Sequence, residues 1–243
     1  MDIIEMLRDD INYYGDFGKQ YLSNSDIGTL LKDPSKYGVS IPDNQNFAKG
    51  RYFHQLILEP SKAEQVKYVT ASTRTTKVYK QYCEDNDLPF ALLESEVEEI
   101  QGLVTKMLSN YTFFEDIRNN DNEYEVPAVG DVKGEMWKGK ADIVHPDMLI
   151  DLKTTSNIDD FKWSARKYNY DSQAYIYQSL FGKPLVFYAI EKGTGRLGIY
   201  RPTEDFLKRG EEKVVQAIDI YRKFFADNAS ENINDYYIEE ELI

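Results

Sequence analysis

The order of elements implied by the sequence is that of an α/β or α+β fold, a sheet core with helices on its flanks. Three observations lead there. Across residues 1–110, apolar residues recur mainly at helical spacing. From Tyr124 to Lys153 the pattern turns to strand character. After Ile158 a pair of helices, two more strand-like runs and one long helix follow. No internal repeat or low-complexity linker interrupts this order, so one domain over residues 1–230 is expected. Within it, 1–110 is mainly helical, 111–200 holds the sheet, and 201–230 is the final helix, followed by an acidic tail at 231–243.

In chain order, Ser25-Asp26 is expected to cap a helix carrying Ile27, Leu30 and Leu31, and Asp33-Pro34 stops it. Residues 44–59 form a second helix whose apolar stripe is Phe47, Phe53 (or Tyr52), Leu56 and Ile57, ended by Pro60. Residues 73–85 and 94–110 are further helices. Tyr124–Val132 and Glu135–Lys153 are strands, the second region folding around a Pro146-Asp147 turn. Ile158–Tyr168 and Asp171–Phe181 return to helix, and Leu185–Glu191 and Arg196–Tyr200 are strands. Thr203, with Asp205 close behind, opens a helix to about residue 228. Its buried side carries Phe206, Val214, Val215, Ile218, Tyr221 and Phe225.

The chain has 243 residues, 42% of them apolar and 29% charged, ordinary for a soluble globular protein. No apolar run reaches the roughly 20 residues of a membrane span. Met1-Asp2-Ile3-Ile4-Glu5 lacks the basic flank and apolar core of a signal peptide. Cys83 is alone, which excludes a disulfide framework, a thiolate zinc site and a cysteine-ligated iron–sulfur cluster. A cytoplasmic protein is expected. The net charge of −13 argues against a passive nucleic-acid coat, but leaves room for an enzyme with a local DNA groove.

The chemistry concentrates in residues 139–153. In Asp151-Leu152-Lys153 the two polar side chains stand at i and i+2, so a strand projects both from one face. With 146 and 147 as the turn, 145 faces 148, and counting outward sets Asp142 opposite Asp151. Opposed residues on antiparallel strands hold their Cβ atoms roughly 4.5–5.5 Å apart. Two carboxylates that close repel unless a positive charge lies between them, and a hard divalent cation beside Lys153 suits the place. Pro146 favours a type I turn, however, and a bulge would send Asp142 to the other face.

Other groups extend this set. His54 lies one helical turn after Gly50, a residue that would let another backbone or a ligand approach. His145, beside the turn, reads as structural. Glu123 and Glu125 share a strand face, and either could add a third carboxylate. Gln173 and Tyr177, at i and i+4, stack on one helix face. Basic groups cluster at Lys49 and Arg51, at Arg74, Lys77 and Lys80, and at Lys162, Arg166 and Lys167; each group could meet phosphates or be a solvated face. There is no nucleophile elbow, phosphate-binding lysine loop, dinucleotide glycine fingerprint or His-Glu-x-x-His helix.

Five segments in this order resemble the PD-(D/E)XK nuclease superfamily, closest to its RecE-like (exonuclease VIII type) phage exonuclease branch and more distantly to lambda exonuclease. They are Leu22-Ser23-Asn24-Ser25 through Pro34-Ser35-Lys36-Tyr37; Gly50-x-x-x-His54 with Leu58-Glu59-Pro60; Lys140-Ala141-Asp142; Asp151-Leu152-Lys153-Thr154-Thr155; and Tyr170-Asp171-x-Gln173-x-x-x-Tyr177. The resemblance implies an α/β, restriction-endonuclease-like core with a mixed central sheet flanked by helices.

It further implies Mg²⁺- or Mn²⁺-dependent hydrolysis of double-stranded DNA from its ends, 5′→3′, in phage or prophage recombination. Asp142, Asp151 and the carbonyl of Leu152 would be metal ligands, with Glu123 or Glu125 as a third carboxylate, and His54 would be a further ligand or would position the metal-bound water. Lys153 would orient the attacking water, and Gln173 and Tyr177 would steer the substrate strand or Lys153. Arg51, Arg74, Lys77 and Arg166 are the expected DNA contacts. A single-strand annealing protein and a ring-shaped homo-oligomer are the partners the family suggests. The alternatives are an endonuclease with the same core and a non-catalytic DNA-binding protein that kept the fold.

Overall fold

The computed structural model describes residues 2–40 and 42–239, so Glu240 and Glu241 of the acidic tail lie outside it. Three short helices open the chain: α1 (Ile3–Arg8), α2 (Asp10–Tyr14) and α3 (Asp16–Lys19). α4 (Asn24–Lys32) starts earlier than expected. Its N-cap is Ser23, and Asp26 is the acid at its third position, closing a capping box with carboxylate contacts of 2.7 Å to the Ser23 N–H and hydroxyl. α5 (Gln45–Leu58) is capped by Asn44, whose side chain accepts from the N–H groups of Asn46 and Phe47. Tyr52, Phe53 and Ile57 are buried, whereas Phe47 is exposed and drops out of the expected stripe. Pro60 opens the short α6 (Pro60–Ala63), where its missing N–H costs nothing.

β1 (Tyr68–Val69) precedes α7 (Lys77–Asp85), which starts after residue 73 because Thr76 is its cap. β2 (Leu92–Leu93) pairs in parallel with β1 and leads into α8 (Glu94–Leu108) and α9 (Tyr111–Ile117). Then come β3 (Glu123–Val132) and β4 (Glu135–Val144), joined by Lys133-Gly134 with φ of 57° and 83°. Two positive φ values in a two-residue loop suit a primed hairpin turn, whose twist matches the strands. β5 (Leu149–Thr155), α10 (Phe161–Lys167), α11 (Tyr170–Phe181), β6 (Leu185–Glu191), β7 (Leu197–Tyr200) and α12 (Glu204–Phe224) complete the fold. α12 is capped by Thr203 and ends before residue 228. No described helix is long and apolar enough to cross a membrane.

The main sheet has the order β3-β4-β5-β6-β7, with β5 and β6 parallel and every other pair antiparallel. The parallel pair needs a crossover, which α10 and α11 provide. Two apolar layers cover the sheet. One joins Leu149, Phe187 and Ala189 to α4, α10, α11 and α12; the other joins Ile150, Leu152, Val186 and Tyr188 to α5, α8 and α9. β6 is buried on both faces, which explains its unbroken apolar run. α11 and α12 meet closely at Gly210, where a Cβ would lie 2.1 Å from the carbonyl oxygen of Asp171.

The register counted from the turn holds: Val144 pairs with Leu149 and Ile143 with Ile150. The ladder stops there, and β4 twists at Asp142. Ala141 lies in the first apolar layer and Ile143 in the second, although residues two apart on a regular strand share a face. On β3, Glu125 beside this twist has φ of 50°. Glu123 and Glu125 therefore do not share a face as expected.

Candidate active site

The site occupies the fork where β4 and β5 part. Beyond the last ladder pair, the Asp142 carboxylate takes the role of a strand partner: its Oδ2 accepts the N–H of Leu152 at 2.7 Å. His54 reaches the same place from α5. Its Nδ1 lies 2.8 Å from the Gly50 carbonyl, one helical turn back. Its Nε2 lies 2.9 Å from the Leu152 carbonyl and 3.1 Å from Asp142 Oδ2. Gly50 contributes that carbonyl; a Cβ there would meet open space, so no described backbone makes the close approach the glycine suggested. His145 is buried and structural: its Nδ1 accepts the Asp147 N–H and its carbonyl accepts from Lys183.

Asp151 and Lys153 project together on the α11 side of β5. The Asp151 side chain is almost wholly buried, with Oδ1 receiving Gln173 Nε2 at 2.6 Å. Lys153 Nζ stands 2.6 Å from Oδ2, off the line of a hydrogen bond, so this buried oxygen keeps an unused lone pair. The ammonium also lies 4.7 Å from the centre of the Tyr170 ring.

Tyr177, one turn beyond Gln173, does not reach Asp151. Its hydroxyl donates to the Lys140 carbonyl at 3.1 Å and accepts the Lys140 N–H at 3.3 Å. It supplies β4 with the partner that β5, having turned away, does not. Gly139 permits this, because a Cβ there would lie 2.9 Å from the Tyr177 ring. Tyr177→Phe is expected to leave both Lys140 groups without that partner. The loss is about 1–3 kcal/mol, read as a fall of several degrees in the thermal midpoint.

The ionisations follow from burial and neighbours. Burial works against a charged His54, yet the Asp142 carboxylate and the Gly50 carbonyl outweigh it and carry the imidazole up to about 9. Burial likewise opposes ionised Asp142, but His54, Lys153 and the Leu152 N–H hold it below the usual carboxylate range. In Asp151, burial prevails over Lys153, and with Asp142 nearby its pKa is raised. Two neighbouring carboxylates thus divide, as like charges sharing a site do. Glu125 is pushed up to about 8, first by burial and then by Asp142. Burial lowers Lys153, but Asp151 and its neighbours more than compensate, so its ammonium keeps its proton.

These groups line one cavity of about 470 Å³, in which Asp10, Glu59, Glu125, Asp142 and Asp151 face Arg51, Lys138, Lys140 and Lys153. Five carboxylates against four cations leave little of the chain's net charge in the cleft. Among the described residues no three His, Cys, Asp or Glu side chains are grouped to hold an ion unaided. His54 Nε2, Asp142 Oδ2 and the Leu152 carbonyl oxygen nevertheless meet at one point, and Asp151 lines the same cavity. An imidazole among hard oxygens, its other nitrogen tied to a carbonyl, fits a divalent cation.

Of the expected contacts, Glu125 lines the cavity and Glu123 does not. Arg51 lines it while paired with Asp43 at 2.6 Å. Arg74 is engaged with Glu96, which also binds Lys49, and has a structural place. Lys77 is exposed at the start of α7, and Arg166 lies on α10; neither lines this cavity. Sequence reasoning missed the α2 wall, Asp10, Tyr13 and Tyr14. Asp10 is tied to Lys140 at 2.7 Å and to Lys62 at 2.8 Å. Nothing local marks this wall, because it meets β4 from 130 residues away. Gln55 and Glu59 could have been found, since they follow Arg51 at i+4 and i+8 on the His54 helix.

The sequence profile of the PDDEXK-like domain of unknown function (DUF3799) matches residues 33–231. A search of the curated proteins finds no match. Among solved structures, a protein named as a candidate exonuclease from Eubacterium rectale superposes with a TM-score of 0.62 at 16% identity, covering 97% of this chain and 96% of its own. A phage-related exonuclease from Haemophilus somnus gives a TM-score of 0.37 at 14% identity, covering 84% of this chain and 94% of its own. At such identity the first likeness bears on the fold alone.

Proposed function

The chain belongs to the family of PDDEXK-like domains, and from this membership and the cluster at the β4–β5 fork we propose that it is a nuclease that hydrolyses DNA with the aid of a divalent cation. One observation carries the reading: His54 Nε2 meets the Leu152 carbonyl oxygen at 2.9 Å and Asp142 Oδ2 at 3.1 Å, beside the Asp151–Lys153 pair. Mg²⁺ or Mn²⁺ would be held by these three donors and Asp151, with Glu125 as the acid nearest at hand. When bound, the ion supplies Lewis-acid polarisation of the phosphate and acidifies water.

The chain's own groups do the rest. Lys153 keeps its proton, so it acts as a hydrogen-bond donor and point charge facing the phosphate rather than as a base. Gln173 holds the Asp151 carboxylate by one oxygen and leaves the other to Lys153. Tyr177 keeps β4 at the distance that places Asp142. Arg51, which lines the cavity, would exchange Asp43 for the DNA backbone.

The RecE-like motif order extends the proposal to double-stranded DNA ends digested 5′→3′. A single-strand annealing protein would act on the product, and a ring-shaped homo-oligomer is the assembly that goes with this reading. The test is incubation with end-labelled linear duplex, with Mg²⁺ and with EDTA. The expected result is loss of 5′ label in Mg²⁺ only. Earlier loss of the 3′ label would reverse the polarity. Closed-circular DNA cut as fast as linear DNA would favour the endonuclease alternative. DNA left intact with every divalent cation tried would end the nuclease reading.

A further inference from the structure

Against the active site, on the first apolar layer, lies a second cavity of about 200 Å³. Its floor is aromatic, formed by Phe161, Phe187, Tyr200 and Phe206. Its rim carries Lys162, Arg166, Arg201 and Arg209, and no acidic residue lines it. In a chain with 42 acidic and 29 basic side chains, this is a local inversion of charge. Among the described residues none of the four cations forms a salt bridge. The Arg209 Nε is buried with no acceptor. Leaving such a donor unsatisfied is costly.

The cavity is joined to the catalytic residues by aromatic rings. Phe187 belongs to its floor, and Lys153 lies 6.0 Å from the centre of that ring. Phe187 stacks on Tyr170 at 5.3 Å, and Phe161 on Tyr200 at 4.2 Å. On the outer side of α10, Trp163 is 57% exposed, with Lys162 and Arg166 each 5.3 Å from its ring. Tyr168, also 57% exposed, has Lys167 at 5.6 Å.

Aromatic faces alternating with unpaired cations suit single-stranded nucleic acid, whose bases stack while its phosphates meet the cations. A duplex offers no base face. The cavity is smaller than the roughly 300–1,000 Å³ of ordinary ligand pockets, so it takes one planar ring rather than a whole cofactor. From this geometry we infer that the α10 face and its cavity bind single-stranded DNA, namely the strand left when its complement is digested. The source of that strand rests on the nuclease reading; the surface itself does not.

The test uses a fluorescein-labelled oligo(dT) 12-mer in EDTA, so binding is read without hydrolysis. Wild-type protein is expected to bind it, quenching Trp163 emission. Trp163→Ala, and separately the Arg166→Ala/Arg209→Ala pair, should each weaken binding about tenfold or more, while Trp163→Phe keeps a stacking ring and most of the affinity. Removing two phosphate contacts should lower the salt slope by about 1.4. Wild-type affinity in both alanine variants would overturn the inference, as would an equal loss on a 12-base-pair duplex. So would a change in sedimentation with oligonucleotide binding intact, which would make this face a contact between copies. Protein that digests duplex in Mg²⁺ but ignores oligo(dT) overturns this inference alone; protein that binds oligo(dT) but never digests DNA overturns the nuclease reading alone.

Discussion

Asp151→Asn is expected to reduce digestion of linear duplex DNA by about 10²–10⁴-fold, the range seen when a charge-bearing catalytic group is removed, and to leave the thermal midpoint unchanged or raised. The two halves of this result have one cause. Asp151 is buried, lies near Asp142, and has a raised pKa. Its ionised form therefore costs the fold free energy, which the neutral amide does not. Asparagine is nearly isosteric and still offers an oxygen to Gln173. What it cannot offer is a negative charge to a cation or to Lys153. Lys153→Met should give a similar loss of rate by removing the ammonium that faces the phosphate. Initial rates on end-labelled duplex and a thermal melt check both variants. Digestion by Asp151→Asn at the wild-type rate would mean that the site is misassigned. A lost rate with a collapsed melt would mean only that the fold failed.

Gly210→Ala is expected to lower stability. The new Cβ would lie 2.1 Å from the Asp171 carbonyl oxygen and 3.0 Å from the Ser172 nitrogen, both backbone atoms of α11. Backbone cannot swing aside as the end of a long side chain can, so α12 must move off α11. Overpacking of this kind costs about 1–3 kcal/mol, occasionally more. In a chain of this size that lowers the thermal midpoint by roughly 2–4 °C per kcal/mol. The consequence reaches the site, because α11 carries both Gln173 and Tyr177. Digestion should fall as well, by less than in Asp151→Asn. A midpoint equal to that of wild type would show that α11 and α12 do not pack at Gly210.

The legible part of the site was the part encoded within a few residues. Asp151 and Lys153 share a face because strands alternate. Gln173 and Tyr177 share a face because helices turn in 3.6 residues. The register of β4 and β5 follows from counting out of one turn. Yet even here the local reading fell short. Gln173 and Tyr177 stand on one face but serve different strands, one holding Asp151 and the other the backbone of Lys140. The face of Asp142 could not be counted, because β4 twists at that residue. Glu123 and Glu125 could not be told apart, because alternation assumes a regular strand and Glu125 leaves it with φ of 50°.

By itself the sequence determined the succession of the main elements, the pairing of Val144 with Leu149, and the shared strand face of Asp151 and Lys153. These depend on short-range periodicity, which survives without knowledge of the rest of the chain. The tertiary structure alone decided that β4 and β5 part after Ile143, that His54 closes on a carbonyl 98 residues away, and that α2 walls the cavity. Those contacts come from how separate layers pack on the sheet, and no window of neighbouring residues contains them.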